Sequence, residues 1–110
     1  MINNIMNISI KPEPFDNIKN GRKTIEVRLY RKLFEEIKVN DNITFYSKNG
    51  SILKNVKNIK LYNSFEHLYN SENINLITPH LKSKEDFIYH YKNIYKNIDK
   101  NKFKVVALFI

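Results

Sequence analysis

Residues 21–30 read GRKTIEVRLY, and this stretch combines a strand pattern with closely spaced charges. Successive side chains of a β-strand point to opposite faces, so the apolar residues at 25, 27 and 29 share one face. Glu26, Arg28 and Tyr30 then share the other face. The apolar face predicts a buried strand. The charged face has two interpretations: an ion pair on the wet side of a sheet, or the lining of a cleft.

The overall charge favours a polyanionic partner. The chain has 110 residues, with 19 Lys and Arg against 11 Asp and Glu, a formal net charge of +8 and no cysteine. Excess Lys and Arg is typical of proteins that bind nucleic acids, although a compositional bias toward Asn, Ile and Lys also accounts for it. This length predicts a single domain over residues 1–110. Without cysteine, disulfides and thiolate nucleophiles are excluded.

Other partners and cofactors are not expected. No apolar run approaches the roughly 18 to 20 residues that a membrane span needs, and the N-terminus lacks a signal-peptide pattern. We therefore expect a cytoplasmic protein with no membrane contact. The three histidines, His67, His80 and His90, lack metal-ligand spacing, so we expect no metal and no cofactor. The oligomeric state is unknown, and we favour a monomer.

Local signals place several elements in the first half of the chain. Residues 11–21 predict a short helix with Phe15 and Ile18 facing inward and Gly21 as a left-handed cap. Asn49 and Gly50 predict the turn of a hairpin between strands at 43–46 and 52–56. The second of these strands is expected to continue, with a bulge, through residues 59 and 61.

Two further helices and a final strand complete the predicted fold. The first helix covers 64–69, with Asn63 and Glu66 spaced as a capping box, and the second covers 83–95. An apolar stripe at residues 87, 91, 94 and 95 of the second helix predicts core positions. The closing run FKVVALFI predicts a central strand covered on both faces. Together these elements predict an α+β fold, a mixed β-barrel of five to six strands with short helices around it.

The motif and its neighbours resemble a known family. GRKTIEVR at 21–28, followed by IKVNDNITF at 37–45, resembles the G-x-K-x-x-E-x-R and V-G-D-x-I-x-F pattern of ASCH domains, members of the PUA-like superfamily. Residues 62–79, 85–95 and 103–110 are similar to the family's later segments. The resemblance implies a PUA-like β-barrel with a cleft for RNA or a nucleoside. Asn40 replaces the usual Gly, and Asn tolerates the same left-handed backbone.

The resemblance implies a site on the charged face of the motif strand. A carboxylate between two cations stays ionised and accepts hydrogen bonds from a base amino group, while the cations meet phosphate or carbonyl oxygens. An aromatic ring at position 30 offers a surface on which a base stacks. The candidate nucleic-acid-binding residues are Arg22, Lys23, Glu26, Arg28, Tyr30 and Arg31.

Two other functions remain open. Some small relatives remove the acetyl group of N4-acetylcytidine and are similar to G-x-K-T-x-T-x-R, with the Lys, the second Thr and a later Glu in the reaction. Here Glu26 replaces that Thr, so Lys23 and Glu26 are the catalytic candidates of a metal-independent hydrolase of a modified nucleoside or of RNA. No motif selects the later acid among Glu66, Glu72 and Glu85. The third function is that of an adaptor for a protein partner.

The histidines are expected to be mostly structural. His67 and His90 lie on predicted helix faces. His80 follows Pro79 in a predicted loop, from which it can reach the cleft.

Overall fold

The elements of the chain follow the order expected from its local signals. A computed structural model describes residues 5–110. The helices are α1 (Pro12–Lys19), α2 (Lys32–Glu35), α3 (Phe65–Ser71) and α4 (Lys84–Ile94), with short 3₁₀ helices at Ile74–Leu76 and Lys100–Lys102. The strands are β1 (Ile5–Ser9), β2 (Ile25–Leu29), β3 (Asn42–Ser47), β4 (Gly50–Asn55), β5 (Asn58–Tyr62) and β6 (Val105–Phe109).

The six strands form two three-stranded sheets. One has the order β1-β3-β4, with β1 parallel to β3, and the other is antiparallel with the order β2-β6-β5. The strand expected to run from 52 through 61 is divided between the sheets. Val56 N–H donates to Asp41 O at 2.8 Å, and Lys57 N–H donates to Phe109 O at 2.7 Å.

The α+β class is confirmed, and the barrel is not. At Val56 and Lys57 the chain leaves the first sheet and enters the second, so a bend replaces the bulge of a continuous strand. Within residues 5–110 the strand pairing therefore gives two separate sheets and does not close into a barrel.

Strand β6 divides the core into two clusters. Val105 and Ala107 pack with the apolar face of β2 and with residues of α3 and α4, whereas Val106 and Leu108 pack with residues of β1, α1 and β3. All four side chains are buried. The expectation of a central strand covered on both faces is confirmed, because β6 lies between β2 and β5 and contributes to both clusters.

The predicted left-handed residues and the hairpin occur, but the hairpin loop is shifted along the chain. Gly21 and Asn40 have φ values of 81° and 77°, as their positions require. The β3–β4 hairpin is confirmed, but Ser47 pairs with Gly50, so the two-residue loop consists of Lys48 and Asn49. The register starts one residue earlier than predicted, and the Asn49 amide donates to the Asp16 carboxylate at 3.3 Å.

The helix caps also differ in detail. Ser64, not Asn63, caps α3, because its hydroxyl accepts the His67 N–H at 3.0 Å. Glu66 is therefore free of the predicted capping box and pairs with Lys84 of α4 at 2.7 Å. On α4 the predicted stripe is narrower than expected, since Ile94 is 54% exposed.

Candidate functional site

A cavity lies beside β2, at the position of the charged face. Its volume is about 580 Å³, and its walls come from β2, the start of α1, residues 77–80 and α4. Lys23, Glu26 and Arg28 all line it. Strand alternation directs Glu26 and Arg28 toward this concave surface, while the apolar residues of β2 join the core, and Lys23 reaches the cavity from the segment before the strand.

Glu26 is a buried carboxylate at the floor of the cavity. It is 5% exposed, which excludes a wet sheet face for this side chain. Its Oε1 accepts the Val27 N–H at 3.1 Å and lies 3.4 Å from Lys23 Nζ, and its Oε2 lies 3.5 Å from Arg28 Nη2. Burial raises the pKa of Glu26, but the two cations and the N–H outweigh burial, so the net pKa lies below its ordinary value. The carboxylate is therefore held ionised.

Lys23 is buried beside Glu26, and its ammonium group contacts three acceptors of the protein. Its Nζ donates to Ile25 O at 3.0 Å and to Ile77 O at 2.8 Å, in addition to its contact with Glu26. These three acceptors match the three protons of an ammonium group. Burial lowers the pKa of Lys23 below its ordinary value. Lys23 thus joins β2 to residues 77–80 and positions the carboxylate.

Arg28 is the motif cation that solvent reaches. Its side chain is 29% exposed, against 4% for Lys23. A guanidinium has five N–H donors, and only one contact with Glu26 Oε2, at 3.5 Å, connects Arg28 to the carboxylate. The floor therefore presents to an incoming group an anionic acceptor beside a cationic donor.

Thr78 adds a hydroxyl that the motif does not predict. It follows Ile77, whose carbonyl holds Lys23, and it lines the cavity while being 4% exposed. Among the residues that the structure describes, its Oγ1 has no hydrogen-bond partner. A buried hydroxyl without a partner costs about 1 to 3 kcal/mol.

Two histidines face each other at the mouth of the cavity. His80 Nδ1 lies 3.3 Å from Glu13 Oε1 of α1, and the rings of His80 and His90 are 6.1 Å apart. Both line the cavity, a position that the sequence predicts for His80 but not for His90. Its position three residues after the buried Phe87, beside the stripe of α4, is the signal that could have located it.

The pKa of His90 lies below its ordinary value. Burial is the main cause, and the charges of His80, Lys23 and Lys11 lower it further, while Glu13 raises it. The neutral imidazole is therefore favoured at the cavity wall.

Two tyrosines lie at the C-terminal end of α4, Tyr91 within the helix and Tyr95 at its C-cap. Tyr91 and Tyr95 are buried in the core, as expected, and also line the cavity. The Tyr95 hydroxyl accepts the Leu29 N–H at 3.2 Å, which attaches α4 to β2. Burial, followed by the charge of Glu26, raises the pKa of Tyr91 well above its ordinary value, so this phenol stays protonated.

Other candidate residues lie away from the cavity lining. Arg22 is exposed, and its N–H donates to Asn20 Oδ1 at 3.1 Å. Tyr30 follows the last residue of β2, so strand alternation does not extend to it, and it packs against the cluster of Phe34 instead. The guanidinium of Arg31 lies 5.5 Å from the Tyr95 ring centre.

The three candidate distant acids do not line the cavity either. Glu72 lies 3.6 Å from Lys60 and accepts the Tyr62 hydroxyl, and Glu66 pairs with Lys84. Glu85 is exposed in the first turn of α4.

The described part of the chain contains neither a metal-binding cluster nor a membrane-spanning helix. Residues 5–110 contain no cluster of three or more His, Cys, Asp or Glu that could hold a metal ion. Within the same range no helix is long and apolar enough to cross a membrane.

Two solved structures are similar to this chain over nearly its whole length. The crystal structure of the hypothetical protein PH0355 is 32% identical, with a TM-score of 0.86, and the match covers 96% of this chain and 95% of that one. The solution structure of PF0455 from Pyrococcus furiosus is 32% identical, with a TM-score of 0.79, and the match covers 96% and 94%.

A more distant structure shares the fold alone. The crystal structure of ASCH from Zymomonas mobilis is 17% identical, with a TM-score of 0.63, and the match covers 94% of this chain and 64% of that one. No curated protein matches the chain. The family model of the ASCH domain matches residues 8–110. The chain therefore belongs to the ASCH domain family.

Proposed function

We propose that the protein binds RNA or a nucleotide by admitting one single-stranded or flipped nucleotide into the cavity. The observation that carries this proposal is the ionised, 5% exposed carboxylate of Glu26 beside Arg28 on a concave surface. Buried charge is costly, and its retention in a cavity is typical of a recognition or reaction site. Membership of the ASCH family and the net charge of +8 point to the same class of ligand.

The size of the cavity favours a single nucleotide. Pockets for small molecules usually measure about 300 to 1,000 Å³, and this cavity measures about 580 Å³. A base pair within a duplex cannot enter such a space, whereas an unstacked base can.

The cavity lining offers polar and apolar contacts to a base. Glu26 Oε2 accepts an amino or imino N–H, and Arg28 donates to a carbonyl or ring nitrogen. Tyr91 and Tyr95, which also line the cavity, supply apolar contact. Because Lys23 is already bonded to three acceptors, its contribution is to hold Glu26 and residue 77 in place.

Fluorescence polarisation with a labelled single-stranded RNA tests the proposal. We expect binding that weakens steeply between 50 and 200 mM salt, since phosphate contacts release counterions. Arg28→Glu should weaken binding by more than tenfold. Lys57→Glu makes the same charge change at an exposed position outside the cavity lining and should have a much smaller effect. Equal losses in the two variants, or equal binding of duplex RNA, would contradict the cavity as the site.

A second function is favoured by one observation, the unpartnered buried hydroxyl of Thr78, a residue that lines the same cavity as Lys23 and Glu26. A hydrolase of a modified nucleoside needs a base, an oriented nucleophile and a donor for the developing oxyanion. Glu26 would take a proton from water as the water oxygen attacks the acyl carbon. The carbon–nitrogen bond would then break, and the proton would pass to the leaving amine, with Arg28 near the oxyanion.

Mass spectrometry of N4-acetylcytidine incubated with the protein tests this second function. We expect cytidine and acetate, with turnover lost in Glu26→Gln. Intact substrate in the presence of measurable binding would leave the binding function alone.

A further inference from the structure

The mouth of the cavity carries N–H donors that recognition of a base leaves unused. We propose that Lys11, His80 and His90 form a subsite for the phosphate group of the bound nucleotide. This inference rests on the proposed function, because it assumes that a base occupies the floor beside Glu26.

The three donors come from separate elements and meet at one place. Lys11 immediately precedes α1, His80 lies in the segment after Pro79, and His90 lies on α4. All three line the cavity, and the two imidazole rings are 6.1 Å apart. Imidazole and ammonium N–H groups form charge-assisted hydrogen bonds to phosphate oxygens.

The exposure of the lining side chains indicates which part of a nucleotide lies at the floor of the cavity and which part lies at its mouth. At the floor, Glu26 and Thr78 are 5% and 4% exposed. At the mouth, the side chains of His80 and Glu13 are 43% and 63% exposed. A nucleotide that places its base at the floor directs its charged phosphate toward solvent, where its desolvation costs least. The phosphate then lies among the mouth donors.

Glu13 competes for the same donor. Its Oε1 lies 3.3 Å from His80 Nδ1, so this carboxylate already interacts with the histidine. A phosphate monoester carries about 1.5 to 2 negative charges at pH 7 and offers three acceptor oxygens, so it can displace a single carboxylate. Removal of the Glu13 charge should therefore favour phosphate.

The charged groups around His90 are mixed but mainly basic. Lys11, Lys23 and His80 lie close enough to oppose its protonation, Glu13 favours it, and the Tyr91 ring lies edge-on at 5.0 Å. A phosphate placed among these groups stabilises the imidazolium form of His90. Binding of the phosphate is then linked to proton uptake.

Isothermal titration with matched ligands tests the subsite. The probes are the four common ribonucleosides, their 5′- and 3′-monophosphates, and inorganic phosphate as a competitor. We expect at least one monophosphate to bind roughly tenfold or more tightly than its nucleoside, because hydrogen bonds to a charged group are strong. Inorganic phosphate alone should bind weakly, since it lacks the base.

Variants at the mouth should change monophosphate affinity in opposite directions. His80→Asn, His90→Asn and Lys11→Ala should each reduce it several-fold, and Glu13→Gln should increase it. Nucleoside affinity should change less than monophosphate affinity in all four variants, so the ratio of the two affinities reports on the subsite. Lys57→Ala, an exposed change outside the lining, controls for overall charge in Lys11→Ala. Lys11 and Glu13 are exposed, so their variants keep the test valid even if His90→Asn folds poorly.

The outcomes separate this inference from the proposed function. Equal affinity for nucleoside and monophosphate, or no effect of Glu13→Gln and Lys11→Ala on their ratio, overturns the subsite while nucleotide binding stands. Absence of binding to every probe and to RNA overturns the proposed function itself.

Discussion

Lys23 Nζ donates to the carbonyl oxygen of Ile77 at 2.8 Å, and this bond joins β2 to a segment 54 positions away in the chain. The same ammonium group contacts Glu26 at 3.4 Å. One buried cation thus fixes two walls of the cavity and the carboxylate between them. Lys23 could be mistaken for a ligand contact, but its bonds make it a residue that positions Glu26 and residue 77.

The main effect of replacing Lys23 should therefore be a loss of folding stability, and not the loss of a direct contact with a ligand. Lys23→Met leaves Glu26 with one cation and leaves two carbonyl oxygens without their donor. Breaking a buried ion pair costs about 3 to 5 kcal/mol. We expect a decrease of this size in the free energy of unfolding in urea. The matched change Lys57→Met, at an exposed position, should stay within about 0.5 kcal/mol.

A double-mutant cycle should show that Lys23 and Glu26 act together. Once Lys23 is replaced by Met, Glu26 keeps only its contact with Arg28, so the second change Glu26→Leu breaks one pair instead of two and removes a buried charge. The double variant should therefore be less destabilised than the sum of the single variants. Additive single effects in urea unfolding would show that the two groups are independent.

Thr78→Val should separate stability from binding. Valine has nearly the same shape but no hydroxyl, and the Thr78 Oγ1 has no partner within residues 5–110. We expect the free energy of unfolding to rise by about 1 kcal/mol, because an unsatisfied buried group is removed. Affinity for RNA should fall. Thr78→Ser keeps the hydroxyl and should retain binding. A loss of stability in Thr78→Val would show that the hydroxyl has a structural partner.

His90 should make stability dependent on pH in a defined direction. Burial lowers the pKa of His90 in the folded state below the unfolded value of about 6.5. Well above pH 6.5 both states are neutral, so His90 contributes no pH dependence there. As pH falls below 6.5 the unfolded state takes up more protons, and stability decreases until the folded pKa is passed.

NMR titration of the imidazole signals and urea unfolding from pH 7.5 to 5 measure this effect. Glu13→Gln should lower the pKa of His90 further, because Glu13 raises it. His90→Asn should remove its part of the pH dependence. A titration of His90 at or above pH 6.5 in the free protein would contradict the prediction.

Asn40 tests the backbone requirement of the turn before β3. Its φ of 77° lies in the left-handed region, where a side chain with a Cβ is disfavoured. Asn40→Ala and Asn40→Gly remove the same side-chain contacts and differ in the Cβ alone. We expect the alanine variant to be about 1 kcal/mol less stable than the glycine variant in urea. Equal stabilities would mean that the turn relaxes to another conformation.

Local patterns predicted the elements but not how the sheets meet. The alternation of β2, the run of β6, the cap at Gly21 and the start of α4 at Ser83 all depend on neighbours in sequence. Division of the predicted strand at Val56 depends on backbone bonds to Asp41 and Phe109, which are remote in sequence. No local pattern contains that information, so a barrel was expected where two sheets occur.

The candidate site was predictable only where its residues share one motif. Lys23, Glu26 and Arg28 lie within six positions, and all three line the cavity. Thr78 and His90 come from other segments, and they reach the cavity because Lys23 and the core tyrosines hold those segments against β2. Their position depends on tertiary contacts, which sequence spacing does not encode.

The order β2-β6-β5 leaves β2 at the edge of its sheet, where backbone donors could recruit a strand from another molecule. Two of those donors are already occupied, because Val27 N–H bonds to Glu26 and Leu29 N–H bonds to Tyr95. The residues that shape the cavity also block edge-to-edge association at these points. Substitution of Glu26 or Tyr95 would therefore free a backbone donor at the sheet edge as well as change the cavity lining. Resistance to aggregation thus limits which residues can replace them.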